Sequence, residues 1–132
     1  MSRIRFKVVE RENPRDRTGK KKFYATNPEL EKVTEEELIE DLVAHTGLSA
    51  VDSKTAFYVM AYLLAQYVAQ GKQADFGRLG SFFASISSAG KDSKKEVKAK
   101  DVFVNRIVFK PGPEIKEALK KVEFVDIDKR IR

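Results

Sequence analysis

The chain has 132 residues, with 26 Lys and Arg against 20 Asp and Glu for a net charge of +6, one His, and neither Cys nor Trp. Without cysteine there is no disulfide, thiolate metal ligand or thiol nucleophile, and a single His removes most zinc sites and the usual general bases. The length suits one domain with a modest core.

The first residues, MSRIRFKVVE, lack the apolar core of a signal peptide. The longest apolar run, AFYVMAYLLAQYVA (56–69), is broken by Gln66 and falls short of the roughly 18 residues of a membrane span. A soluble, intracellular protein without a membrane partner is the expectation. Charge is segregated along the chain. Residues 1–22 carry +6, residues 23–90 carry −5, residues 91–121 carry +5, and the last eleven balance. Two basic segments around an acidic, apolar middle suit a polyanion-binding surface better than uniform solvation does.

In chain order, RIRFKVVE (3–10) alternates Ile4, Phe6 and Val8 with Arg3, Arg5 and Lys7, the period of a half-buried strand. The polar stretch 11–21 holds Pro14 and Gly19 and reads as a loop. KFYATN (22–27) reads as a second strand. Thr34 opens T-E-E-E, a capping box ahead of a helix whose apolar face is Leu38, Ile39, Leu42 and Val43 and which stops at Gly47. His45 falls in its last turn, a place for a solvated or helix-capping imidazole rather than a catalytic one.

Ser49 caps a second helix that is apolar on nearly every side from Thr55 to Ala69. A monomer's surface helix keeps a polar face. Burial on two sides, most simply against a partner subunit, follows from its absence. QADF (73–76) reads as a short strand, FFASIS (82–87) and DVFVNRIVF (101–109) as two longer ones. The lysine-rich stretch 88–100 between them has no core pattern, so the pair is expected to form a long hairpin with its tip in solvent. PGPEIKEALKKV (111–122) starts a last helix at Pro113.

The loop FGRLGS (76–81) has two glycines, but it neither opens a helix nor carries the lysine of a phosphate-binding loop. Glycines between strands serve turns, so this is a turn into a hairpin. Glu35, Glu36, Glu37, Glu40 and Asp41 lie on one exposed helix and its first turn, where acids favour the helix dipole. They do not face one another across a cleft, as a glycosidase pair would. No catalytic residue, metal site, cofactor or small-molecule substrate is indicated.

The order of elements, with E-E-L-I (36–39), the turn L-G-S-F (79–82) and F-K-P-G (109–112), resembles the HU/IHF family of bacterial nucleoid (histone-like) DNA-binding proteins. The likeness runs from residue 34 to 121. Strands preceding the first helix resemble the HU-HIG type, in which an HU-like domain has an N-terminal extension. The resemblance implies an α+β fold: a helical base with a β-sheet, a protruding β-hairpin arm and extra N-terminal strands, in an intertwined homodimer. It divides the chain into an N-terminal β extension with a basic loop (1–33), an HU-like domain (34–121) and a C-terminal tail (122–132).

It further implies a cytoplasmic, nucleoid-associated protein that binds double-stranded DNA without sequence preference. Carried over by position, Lys110 and Lys116 match basic positions of the family, and Lys91, Lys94, Lys95, Lys98, Lys100 and Arg106 lie where its arm runs; Arg78 of the turn is a further DNA-binding candidate. Arg15, Arg17, Lys20, Lys21 and Lys22 form a second basic group. Departures from the family pattern are Pro113 and Glu35 where lysine is frequent, Arg78 in place of a glycine, and an arm without the proline of the R-N-P tip. The alternative is a dimeric scaffold that keeps the fold and binds protein, with weak or no DNA binding.

Overall fold

The computed structural model describes residues 2–15 and 19–128, and the chain divides into two compact units. One comprises Met1–Val33 with Ala118–Arg132, the other Thr34–Glu117.

The first unit is a three-stranded sheet. The alternating segment forms β1 (Arg3–Arg11), and β2 (Lys22–Thr26) pairs antiparallel to it, with Lys7 opposite Thr26 and Arg11 opposite Lys22. On the other side of β1, a C-terminal strand runs parallel to it, with Arg3 opposite Glu123 and Phe6 opposite Asp126. That strand, Glu123–Asp126, was not among the expected elements. It is four residues long and its pattern is set by a partner 120 positions away, so nothing local announces it. Arg3 Nε lies 3.6 Å from the Glu123 carboxylate across this pairing. Between β1 and β2, Asn13 Oδ1 accepts from the Arg15 N–H and closes a side-chain turn; Arg17 lies outside the described residues.

The second unit begins with α1 (Glu35–Thr46). The Thr34 hydroxyl accepts from the Glu37 N–H at 3.2 Å, which satisfies one of the orphan donors of the first turn. At the other end Gly47 takes φ +74° and its N–H reaches the Val43 carbonyl, a left-handed cap that glycine adopts without steric cost. The Ser49 hydroxyl caps α2 (Ala50–Ala69) through the Asp52 N–H at 3.0 Å. As expected, His45 is a local cap: Nδ1 donates to the Asp41 carbonyl at 2.8 Å.

After α2, β3 (Ala74–Asp75), β4 (Gly80–Ser88) and β5 (Val102–Pro111) form an antiparallel sheet in that order. The remaining helix, α3, spans Pro113–Lys120; the strand Glu123–Asp126 that follows it is β6. The loop between β3 and β4 is a turn, as the sequence indicated. Asp75 Oδ1 accepts from the Gly77 N–H, Gly77 takes φ +59°, and the Phe76 N–H bonds the Gly80 carbonyl at 2.8 Å.

Gly80, at φ +135°, lies so close to β5 that a Cβ there would overlap the Lys110 carbonyl oxygen. Both conditions demand glycine. Beneath the hairpin base, Phe82 stacks on its cross-strand partner Phe109 with centroids 4.9 Å apart, and Phe76 meets Phe82 edge-on.

Among the described residues, Ile39 and Ala74 are the buried hydrophobics. α2 leaves Val59, Met60, Tyr62, Leu63 and Tyr67 in solvent, with Tyr62 63% exposed. So much uncovered apolar surface on one helix is unusual for a monomer.

Candidate nucleic-acid interface

The candidate cations fall into three places in the second unit. Arg106 and Lys110 sit on β5. Pairing of Phe82 with Phe109 and Ala84 with Ile107 sets one face of the hairpin, and pairing of Ser81 with Lys110, Phe83 with Val108 and Ser85 with Arg106 sets the other. The first face lines an apolar pocket of about 290 Å³, in which Phe82 and Ile107 meet Ala61, Leu64, Ala65 and Val68 of α2. The second face therefore carries both cations on the side away from the helix. Lys110 Nζ rests 5.2 Å from the centre of the Phe83 ring, which holds the long side chain over the neighbouring strand β4.

The register of the hairpin shifts between Ser85 and Ile86, because Ser85 faces Arg106 while Ile86 faces Val104. Asn105 is the extra residue of this bulge. Bulges re-aim the strand beyond them. The sequence reading did not single out Asn105, nor the hydroxyls of Ser81 and Ser85 that share the cationic side. Two polar residues breaking the alternation of VFVNRIVF at Asn105–Arg106 were the available signal.

Lys91, Lys94, Lys95, Lys98 and Lys100 all lie in the connection between β4 and β5, and all are exposed. The connection is not a plain extended tip. It folds into two 3-10 turns, Lys94–Glu96 and Ala99–Asp101. Asp101 organises the second of them: its carboxylate accepts from the Lys98 N–H at 3.1 Å, and its own N–H bonds the Lys98 carbonyl. Asp92, Glu96 and Asp101 reduce the local charge of residues 89–101 to +2. Val97, between the turns, is 44% exposed.

Arg78 stands at the hairpin base, where its guanidinium Nη1 meets the Glu114 carboxylate of α3 at 3.1 Å; both side chains are largely exposed. Lys116 lies on α3, its N–H bonded to the Gly112 carbonyl. The structure thus brings Arg106 and Lys110 onto one face, gathers the five lysines in the connection, and leaves Arg78 and Lys116 at the base. At about 3.3 Å per residue, β5 carries Lys110 some 26 Å from Val102.

Besides Asp92, Glu96 and Asp101 of the connection and Glu114 at the base, this unit has a second acidic group on α1. Glu35, Glu36 and Glu40 line a cleft of about 310 Å³ with Ile39, Ala50, Val51 and Lys54. Glu35 also accepts from the Tyr58 hydroxyl and pushes that phenol above its usual range, while Lys54 partly offsets the effect. Anionic groups in this cleft repel phosphate. Among the described residues no group of three His, Asp or Glu side chains could hold a metal ion, and no helix is long and apolar enough to cross a membrane.

A family model described as HU-HIG, an HU domain fused to wHTH, Ig, or glycine-rich motif, matches residues 1–125. The chain belongs to this HU-like family. A crystal structure from Bacteroides vulgatus, titled a "Putative bacterial DNA binding protein", is similar to the HU-HIG chain with a TM-score of 0.68 at 16% sequence identity. The match covers 100% of this chain and 51% of that one, so the chain spans about half the length of that relative. At this identity the likeness is one of fold. No curated protein matches the chain.

Proposed function

We propose that the chain is a homodimeric, sequence-nonspecific double-stranded DNA-binding protein of the bacterial nucleoid, and that its 34–121 region contacts phosphates through the β4–β5 hairpin. The observation that carries this reading is the division of charge in the second unit. Arg106 and Lys110 share the hairpin face turned away from α2, and the exposed lysines of the connection extend the same hairpin. Each ammonium or guanidinium placed on a phosphate releases condensed counterions, a driving force that ignores base sequence. Among the described residues no helix presents Arg, Asn and Gln at exposed spacing to read base edges in the major groove.

The dimer is supported by α2. The two buried hydrophobics among the described residues cannot offset the conformational entropy of folding, whereas covering Met60, Tyr62, Leu63 and Tyr67 with a second copy would add burial. The test is a fluorescence-anisotropy titration of duplex DNA with the wild type and with K91Q/K94Q/K95Q/K98Q. Weaker binding to every sequence and a shallower salt dependence support the reading. Unchanged affinity after both this set and the basic residues of the N-terminal unit are neutralised would favour a dimeric scaffold that binds protein.

A further inference from the structure

The N-terminal sheet carries a second basic surface with a different construction. In β1, alternation sends Ile4, Phe6, Val8 and Glu10 to one face and Arg3, Arg5, Lys7, Val9 and Arg11 to the other. The register with β2 adds Lys22, Tyr24 and Thr26 to the cationic face, opposite Arg11, Val9 and Lys7 respectively. Glu10 pairs with Phe23 on the apolar face, so this carboxylate does not offset the charge.

Two parts of the cationic face differ. At one end, Arg3 is paired with Glu123, and Glu29 and Glu31 line a pocket of about 530 Å³ with Arg3 and Arg5. At the other end, Arg11 and Lys22 stand directly across the strands from each other. Like charges directly opposite in an antiparallel pair destabilise it. A fold gains nothing internally from that apposition; an external anion would be bound by it. Lys7, Arg11 and Lys22 are exposed, and Tyr24, between them on the same face, is exposed as well. Lys7 and Arg11 are separated by about 13 Å along the strand, the axial rise of about four phosphates of one DNA strand at roughly 3.4 Å each.

We propose that this end of the sheet, built on Lys7, Arg11 and Lys22, is a second phosphate-backbone site for duplex DNA, distinct from the hairpin. Guanidinium and ammonium groups would each take a phosphate, and the Tyr24 hydroxyl would donate to one, contacts that fix position without reading sequence. The inference rests on the reading that the chain binds DNA, and the two are separable by experiment.

Lys22→Glu is the discriminating variant. It turns a like-charge cross-strand pair into an opposite-charge pair. Thermal stability should therefore hold or rise, while DNA affinity falls and the slope of log K against log salt becomes shallower by about 1.8, for two cations withdrawn from phosphate. R11Q/K22Q gives the same loss without creating a new ion pair, and R11K keeps wild-type binding. The four-lysine hairpin variant is titrated in parallel on the same duplex. Wild-type affinity and slope for both sheet variants, with the hairpin variant weakened, would overturn this inference and leave the DNA reading standing. Wild-type behaviour of the sheet and hairpin variants alike would overturn both.

Discussion

The two basic regions have nearly equal charge in sequence, +6 over residues 1–22 and +5 over 91–121, yet they present it differently. In the hairpin connection the lysines alternate with Asp92, Glu96 and Asp101, and one of those acids is used to close a 3-10 turn. In the N-terminal sheet, strand parity sorts the charges: the cations of β1 and β2 share a face, and Glu10 is sent to the other. Net charge along a sequence therefore says little about surface potential. Whether acids interleave with the cations in a loop or are separated from them by a pleat decides how strongly a polyanion is attracted.

The comparison breaks most severely if the platform behind the hairpin is lost. Leu64 is half-buried and lines the apolar pocket with Phe82 and Ile107, and the proposed dimer would cover it, so Leu64→Asp would bury a charge at a cost of about 3 kcal/mol or more. Helical circular dichroism should collapse, and light scattering should no longer find twice the 15.0 kDa chain mass. A well-folded wild-type monomer at micromolar concentration would contradict the proposed dimer.

A pair of glycines sharpens the contrast between hairpin base and hairpin connection. Gly80→Ala forces a Cβ onto the Lys110 carbonyl at positive φ and should lower stability by about 2–4 kcal/mol in a thermal melt. Gly90→Ala, in open space within the connection, should change it by less than about 0.5 kcal/mol.

These positions also mark how far the sequence could be read. Both caps, the turn at 76–81, the strand alternation and the hairpin are local physics, and each was visible from residue type and spacing. Thr34 and Ser49 precede their helices with a hydroxyl, and Gly47, Gly77 and Gly80 fall where positive φ is required. β6 was hidden because its four residues owe their conformation to β1. The bulge at Asn105 was hidden because register is a property of two strands. For the candidate site, the positions of the lysines were legible from composition, but not the Arg78–Glu114 pair or the face shared by Arg106 and Lys110. Those depend on packing between elements.

A smaller effect separates the hairpin connection from the sheet by charge. With four phosphate contacts removed, K91Q/K94Q/K95Q/K98Q should flatten the salt slope by up to about 3.6, less if Asp92 and Glu96 already hold some of these lysines off the backbone. Smaller still is the exposed pair at the base. Glu114→Gln should alter stability by no more than about 1 kcal/mol while freeing Arg78, and a slight gain in DNA affinity is the expected reading. No proline lies between Phe82 and Phe109, and Val97 is a small side chain flanked by charge. Without a wedge to unstack a base step, energy transfer across an end-labelled duplex should change little on saturation. A large end-to-end shortening would mean that the connection bends DNA by another route.

The most direct measurement of the central claim is the affinity of the wild-type protein for two duplexes of unrelated sequence, titrated from about 50 to about 200 mM salt. The expected result is equal affinity for both and a steep linear fall of log K with log salt, as counterion release requires. No binding at the lowest salt, or a preference of a hundredfold for one duplex, would contradict it.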